Sequence, residues 1–221
     1  MDIILSSISQ GLLWSVMAIG VYLTFRILDI ADMTAEGSYP LGAAVCATGI
    51  VNGLNPLLAT FLAMIAGMGA GLISGLLHTK LKIPALLTGI VTLTGLYSIN
   101  LKILGKTNVA LLKQETLVTQ LQDFGLAKTN AVLVIGIIFV LAVVGVLTLL
   151  LNTQIGLAIR STGDNIPMSE ANGINVDRMK IYGYMISNGL IALCGALLTQ
   201  NNGYADLNSG TGTIVIGLAS V

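Results

Sequence analysis

The sequence predicts an all-α protein, a polytopic transmembrane helical bundle that includes short or broken helices. Of its 221 residues 55% are hydrophobic and only 9% charged, where soluble domains carry about 25% charged residues. The mean hydropathy is +0.91. Residues 55–77 and 130–151 are uncharged runs, each longer than the roughly 18 apolar residues that mark a spanning helix. In lipid only helices and closed barrels bond every backbone group internally. Barrel strands would alternate with a period of two, and no such alternation is present.

Ten basic and ten acidic residues give zero net charge, so no nucleic-acid surface is implied. Cys46 and Cys194 fall inside apolar runs and read as packing residues, without a disulfide framework. His78 is the one histidine, far short of a zinc ligand set. The chain carries no glycine-rich P-loop with its lysine, so ATP phosphates have no cradle here. No cofactor and no catalytic constellation are expected.

In chain order, the first span covers about 3–25 and ends at Arg26, which can snorkel to the interface. The N-terminus lacks a basic n-region, unlike a cleavable signal peptide. Residues 29–42, DIADMTAEGSYPLG, are too polar for a lipid-facing helix. The apolar stretch after them, 41–51, is too short to span alone. Either a broken, re-entrant helix buried in protein or an interfacial loop with a short tilted helix accounts for this.

Asn55-Pro56 opens the next span, which ends near Leu77. Its Gly67, Gly71 and Gly75 recur every fourth residue, a stripe on which another helix can pack closely. A hinge at 78–82 leads to a span from Pro84 to about Leu101. Thr88, Thr92, Thr94, Ser98 and Asn100 make it the most polar span, for helix packing or for lining a path. Residues 105–129 form a polar loop in which Leu111, Leu112, Leu117, Val118 and Leu121 suggest an amphipathic surface helix. Spans at 130–151 and 181–198 flank a second polar loop, 152–180.

Ala205-Asp206-Leu207-Asn208-Ser209 echoes Ala31-Asp32-Met33-Thr34-Ala35, and each copy leads through glycine into an apolar segment. The helices before the two copies run in opposite directions, the signature of an inverted repeat. A second half of matching length would extend past Val221, so a truncated chain is expected. With 152–180 inside, Arg26, Lys80, Lys82, Arg160, Arg178 and Lys180 are cytoplasmic. Lys102, Lys106, Lys113 and Lys128 are outside, and so is the N-terminus.

The 152–180 loop carries the most information. Residues 156–160 are amphipathic, Gly163-Asp164-Asn165 is turn chemistry, and 167–171 suits another helical turn closed by Gly173. Asn175 and Asp177 can cap the next span. The loop therefore reads as a helical knob, a protein-docking device with no nucleophile–base pair.

GLAIRSTGDN, then Ala171 and GINVDRMK, resembles the cytoplasmic loop of permease subunits of bacterial ABC importers of the branched-chain amino acid and ribose type. DIADMTAEGSYPLGAAV and TGTIVIGLASV resemble that family as well. The resemblance implies one transmembrane permease domain over 1–221 in the cell membrane. It also implies a coupling helix that enters a groove on a separate cytoplasmic ATPase. Gly156, Arg160, Asp164, Asn165, Ala171, Gly173 and Asn175 would form or hold that contact. Ser169-Glu170 departs from the small and basic pair of the family. A second permease copy and an extracytoplasmic solute-binding protein are implied partners. An amino acid is the implied solute, with a sugar or nucleoside as alternatives.

Asp32, Thr34, Glu36, Asp206 and Asn208 are the candidate translocation-path residues. The competing expectation places these acids at the interface, capping helices. An ion-coupled secondary transporter, using the same acids as proton or sodium sites, is the alternative function.

Overall fold

The structure, a computed structural model, describes residues 2–111, 114–123 and 127–220. Helix α1 (Asp2–Tyr22) runs into a π-helical turn, Leu23–Ile27. Helices α2 (Ala35–Val51), α3 (Pro56–Lys80) and α4 (Ala85–Leu104) follow. Strand β1 (Asn108–Ala110) and helices α5 (Leu117–Asp123) and α6 (Lys128–Leu151) come next. Then come α7 (Gln154–Asp164), α8 (Ile166–Ala171) and α9 (Val176–Asn202). Strand β2 (Tyr204–Asp206), a 3-10 turn at Leu207–Gly210 and α10 (Thr213–Ala219) close the chain. Among the described residues five helices are long and apolar enough to cross a bilayer: α1 with its π turn, α3, α4, α6 and α9.

Helix α9 is the axle of the bundle. Of its most apolar window 78% is buried, against 22% for α6. Helix α1 lies antiparallel on it, with Gly20 against Ser187 and the Leu13 carbonyl accepting from the Cys194 thiol at 3.2 Å. Helix α3 is antiparallel too. Gly67 faces Asn188 and Ala192, Gly71 faces Tyr184, and Gly75 faces Ile181. This is the close-packing stripe that the fourfold spacing predicts. Helix α2 runs parallel to α9, with Ser38 on Asn188 and Gly42 on Ala192.

Two sequence expectations need correction. The interfacial-loop alternative for 29–42 gives way: the apolar stretch 41–51 continues a largely buried helix that begins at Ala35 and contains Pro40. Proline in a helix forfeits a hydrogen bond to the carbonyl four residues back. Here that carbonyl, of Glu36, and the Pro40 ring both lie against Gly210. The polar residues around Pro40 are enclosed by other helices, so neither lipid nor an interfacial loop has to accommodate them. The second correction concerns 105–129. In place of one amphipathic helix, it holds β1 and the short α5. β1 pairs antiparallel with β2 in the register Asn108↔Asp206, Val109↔Ala205 and Ala110↔Tyr204. Leu112 and Lys113 lie outside the described residues, as does Val221.

The loops separate to two ends. The π turn, the α3–α4 hinge and α7–α8 gather at one; the start of α1, the α2–α3 turn, the β ribbon and α5 gather at the other. The basic residues expected inside, Arg26, Lys80, Lys82, Arg160, Arg178 and Lys180, fall at the first end. Lys102, Lys106 and Lys128 fall at the second.

A side chain at Gly71 would overlap the Tyr184 carbonyl, whereas one at Gly69 meets nothing within 4 Å. Gly71→Val is expected to lower the melting temperature in detergent by about 2–10 °C, the effect of a ~1–3 kcal/mol overpacking. Gly69→Ala is expected to leave it unchanged or slightly raised. Equal melting temperatures for the two variants would remove α3–α9 contact as the organising interface.

Candidate functional site

At one end, α7 and α8 form the knob. Thr153 caps α7 by accepting the Gly156 N–H at 3.3 Å. Asn165 ends α7 and caps α8 through the Met168 N–H at 3.0 Å. Asn175 caps α9 through the Arg178 N–H at 3.1 Å. Gly173 turns the chain between α8 and α9 with φ +79, a left-handed conformation costly for other residues. These caps satisfy helix-end N–H groups that would otherwise lack partners.

The predicted loop residues divide by role. Gly156 is buried, pressed on the Leu150 and Leu151 backbone where a side chain would not fit. Arg160, Asp164, Asn165, Ala171, Gly173 and Asn175 are exposed. Sequence reasoning missed the apolar surface between them: Leu157, Ile166 and Met168 are exposed, Met168 to 60%. On the opposite side Ile159 packs with Leu28, Ile30 and Tyr184, and Gly163 lies against the Ile27 carbonyl. The knob is therefore fastened to the segment that leads to Asp32.

Asp32 sits inside the bundle. Its Oδ1 accepts the Thr34 N–H at 2.9 Å and its Oδ2 accepts from Asn188 Nδ2 at 2.7 Å. Asn188 Oδ1 in turn accepts from the Ser38 hydroxyl at 2.6 Å. The Thr34 and Ser74 hydroxyls lie 2.8 Å apart. Asp32, Thr34, Ser38, Ser74 and Asn188 are all buried. Asn188 stands at the middle of the 27-residue α9, so this network lies deep between the ends. Sequence reasoning placed Asp32 near the path or at an interface. The structure gives it the capping turn but encloses it in protein, and neither Asn188 as its partner nor Ser38 and Ser74 as further members of the network were anticipated.

Asp206 repeats the local turn, accepting the Asn208 N–H at 2.8 Å. The two copies of the internal echo thus share one backbone device. Asp206 is half-buried and Asn208 exposed. Glu36 Oε1 accepts the Gly212 N–H at 3.1 Å, joining the start of α2 to the start of α10. Glu36 and Asn208 line a cavity of about 210 Å³ between α2, α4 and the 207–211 turn. Asp32 and Thr34 are not among its lining residues. No group of three or more metal-ligating side chains occurs among the described residues.

A sequence profile described as branched-chain amino acid transport system permease component matches residues 3–221. A tyrosine transport system permease protein of Clostridioides difficile is 44% identical over 218 residues, 99% of this chain and 71% of that one. An uncharacterized protein of Rickettsia prowazekii is 34% identical over 221 residues, 100% of this chain and 76% of its own length. An autoinducer 2 import system permease protein of Yersinia enterocolitica is 28% identical over 211 residues, 95% of this chain and 56% of that one. No solved structure matches.

Removing one member of the buried network strands the others, at about 1–3 kcal/mol for each buried polar group left unpaired. Asn188→Ala and Asp32→Ala are each expected to lower the melting temperature in detergent. The double variant should be no less stable than the worse single, because partners in contact are coupled. Strictly additive losses would show that the two side chains do not depend on each other.

Proposed function

The chain belongs to the branched-chain amino acid transport system permease family, and from that premise we propose that it is the subunit through which an ATP-binding cassette importer moves its solute. It supplies helices for the translocation path and passes motion to them from a separate cytoplasmic ATPase. The observation that carries this reading is the knob. It is a helical pair held by three side-chain caps, with Leu157, Ile166 and Met168 turned outward. Exposed apolar residues on a rigid helix suit insertion into a groove of a partner protein. Arg160 and Asp164 stand on the same exposed surface and give the contact polar register.

Closure of the ATPase dimer around ATP would displace the knob as a rigid body. Ile159 and Gly163 bear on 27–30, and that segment continues into Asp32 and the head of α2. The path then opens near Glu36 and Asn208. A second permease copy completes the pore, and an extracytoplasmic binding protein delivers solute at the β-ribbon end. An amino acid is the proposed solute, supported by the tyrosine transport relative at 44% identity. Placing the knob in the cytoplasm also puts Arg26, Lys80, Lys82, Arg160, Arg178 and Lys180 there, in keeping with the positive-inside rule.

The test is co-purification from native membranes in mild detergent. The unaltered chain should bring down a stoichiometric P-loop ATPase. Met168→Asp changes an exposed tip residue and is expected to cut recovered ATPase about tenfold, the scale of a lost apolar anchor at an interface. Gly173→Val, which forces a β-branched residue into a left-handed turn, should do the same with membrane insertion intact. A well-folded preparation that never carries an ATPase would overturn the importer reading in favour of an ion-coupled carrier.

A further inference from the structure

The long helices differ in what their outward faces carry. On α3 the exposed positions between Leu57 and Leu77 are apolar or glycine, among them Phe61, Ile65 and Ile73. On α6 the exposed positions from Ile137 to Val146 are apolar, and Thr148 near the end bonds carbonyls of its own helix. Helix α4 is different. Its Thr88, Thr92 and Asn100 are buried, and Asn100 bonds the Gly37 carbonyl of α2. Thr94, Tyr97 and Ser98 share another face and are exposed. Thr94 stands at the midpoint of this 20-residue helix. Tyr97 and Ser98 fall about 9–10 Å short of its ribbon end, at 1.5 Å per residue. That depth is below the interfacial level at which tyrosines anchor spans. Thr94 bonds carbonyls of its own helix, but the Tyr97 and Ser98 hydroxyls have no bond among the described residues.

The segment beside this face is not helical. Gly37 packs on Leu93 and Leu96, so Glu36 lies level with the middle of α4. Its carboxylate accepts the Gly212 N–H, which brings the break between the 3-10 turn and α10 to the same depth. Asn208, Thr211 and Gly212 are exposed there. Irregular backbone at membrane depth is tolerated only inside protein or against water, and an acid imposes the same choice. We propose that this seam, the outward face of α4 with Glu36 and the 208–212 turn, is one wall of a water-filled path, and that the outward faces of α3 and α6 meet lipid. The assignment rests on the importer reading and adds to it the helix that lines the path. It also divides the hydroxyls of α4 into a packing row, Thr88 and Thr92, and a lining row, Thr94, Tyr97 and Ser98. The cavity of about 210 Å³ between α2, α4 and the turn belongs to this wall. It presents hydroxyls, an amide and one carboxylate, which suit water and the polar groups of a solute.

The test is thiol accessibility in membranes opened by freeze–thaw, so that reagent meets both faces. Thr94→Cys, Ser98→Cys and Thr211→Cys are compared with Ile65→Cys on α3 and Leu141→Cys on α6, all at exposed positions. The native Cys46 and Cys194 are buried, and the unsubstituted chain sets the background. The reagent is trimethylammonioethyl methanethiosulfonate, a fixed cation that stays in water and attacks the thiolate. Hydrocarbon suppresses thiolate formation, so positions 94, 98 and 211 should label at least about tenfold faster than 65 and 141. Each variant is checked for its level in the membrane and its melting temperature. Equal rates, faster labelling on α3 or α6, or no labelling of α4 would overturn the wall. Labelling needs no ATPase, so a labelled α4 in a chain that never carries one keeps the wall and discards the importer. Co-purification with α4 unlabelled does the reverse.

Discussion

The bond from Asn188 to Asp32 is the constraint on which the rest of the bundle depends. A carboxylate enclosed by helices must be fully hydrogen-bonded or it destabilises the fold by several kcal/mol. Both oxygens of Asp32 are used, one by the Thr34 N–H and one by Asn188. Meeting that demand fixes several elements at once. Asn188 sets the depth of α9, Ser38 on the same amide sets the register of α2, and Thr34 against Ser74 sets α3. Glycines at 42, 67 and 71 then let the backbones come as near as these bonds require. Polar pairing and small-residue packing are one solution here, because apolar contact alone gives little register between helices in lipid.

The same bonds make the interior a connected body. Gly163 and Ile159 hold the knob to 27–30, and Asp32 holds the next residues to α9 and, through Thr34, to α3. Close-packed protein interiors have low compressibility and transmit strain. A push on α7–α8 thus reaches the head of α2, where Glu36 meets the turn before α10. The contiguity of contacts supports a mechanical route.

What could be read from the sequence was local. The apolar runs gave five of the helices, and the fourfold glycine spacing in α3 gave its packing face. Asn175 as a cap and Gly173 as a left-handed turn were also legible, because caps and turns are decided by a few neighbouring residues. The failures are all long-range. Asn188 looks like any polar residue in a span until Asp32, 156 positions away, is placed beside it. β1 has three residues and no pattern of its own; its partner is β2, near the far end of the chain. The course of 29–42 stayed open between a buried broken helix and an interfacial loop, because polar first turns containing Pro40 do not suit a helix facing lipid. The helix is wrapped by α3, α4 and α9, where Ser38 bonds Asn188 and Glu36 receives the Gly212 N–H.

The distribution of unused bonding capacity bears on which class of transporter this is. A proton or sodium site needs an acid whose lone pairs are available, with further oxygen ligands around it. Asp32, the deepest acid, has both oxygens committed to protein donors. Asp206 is engaged in its own turn and sits at the ribbon end. Glu36 accepts the Gly212 N–H, so each of these three acids already receives at least one backbone N–H. An ion-coupled carrier would also leave the capped, apolar-tipped knob without a task. The knob end of the molecule therefore favours an account in which energy enters through a docked protein.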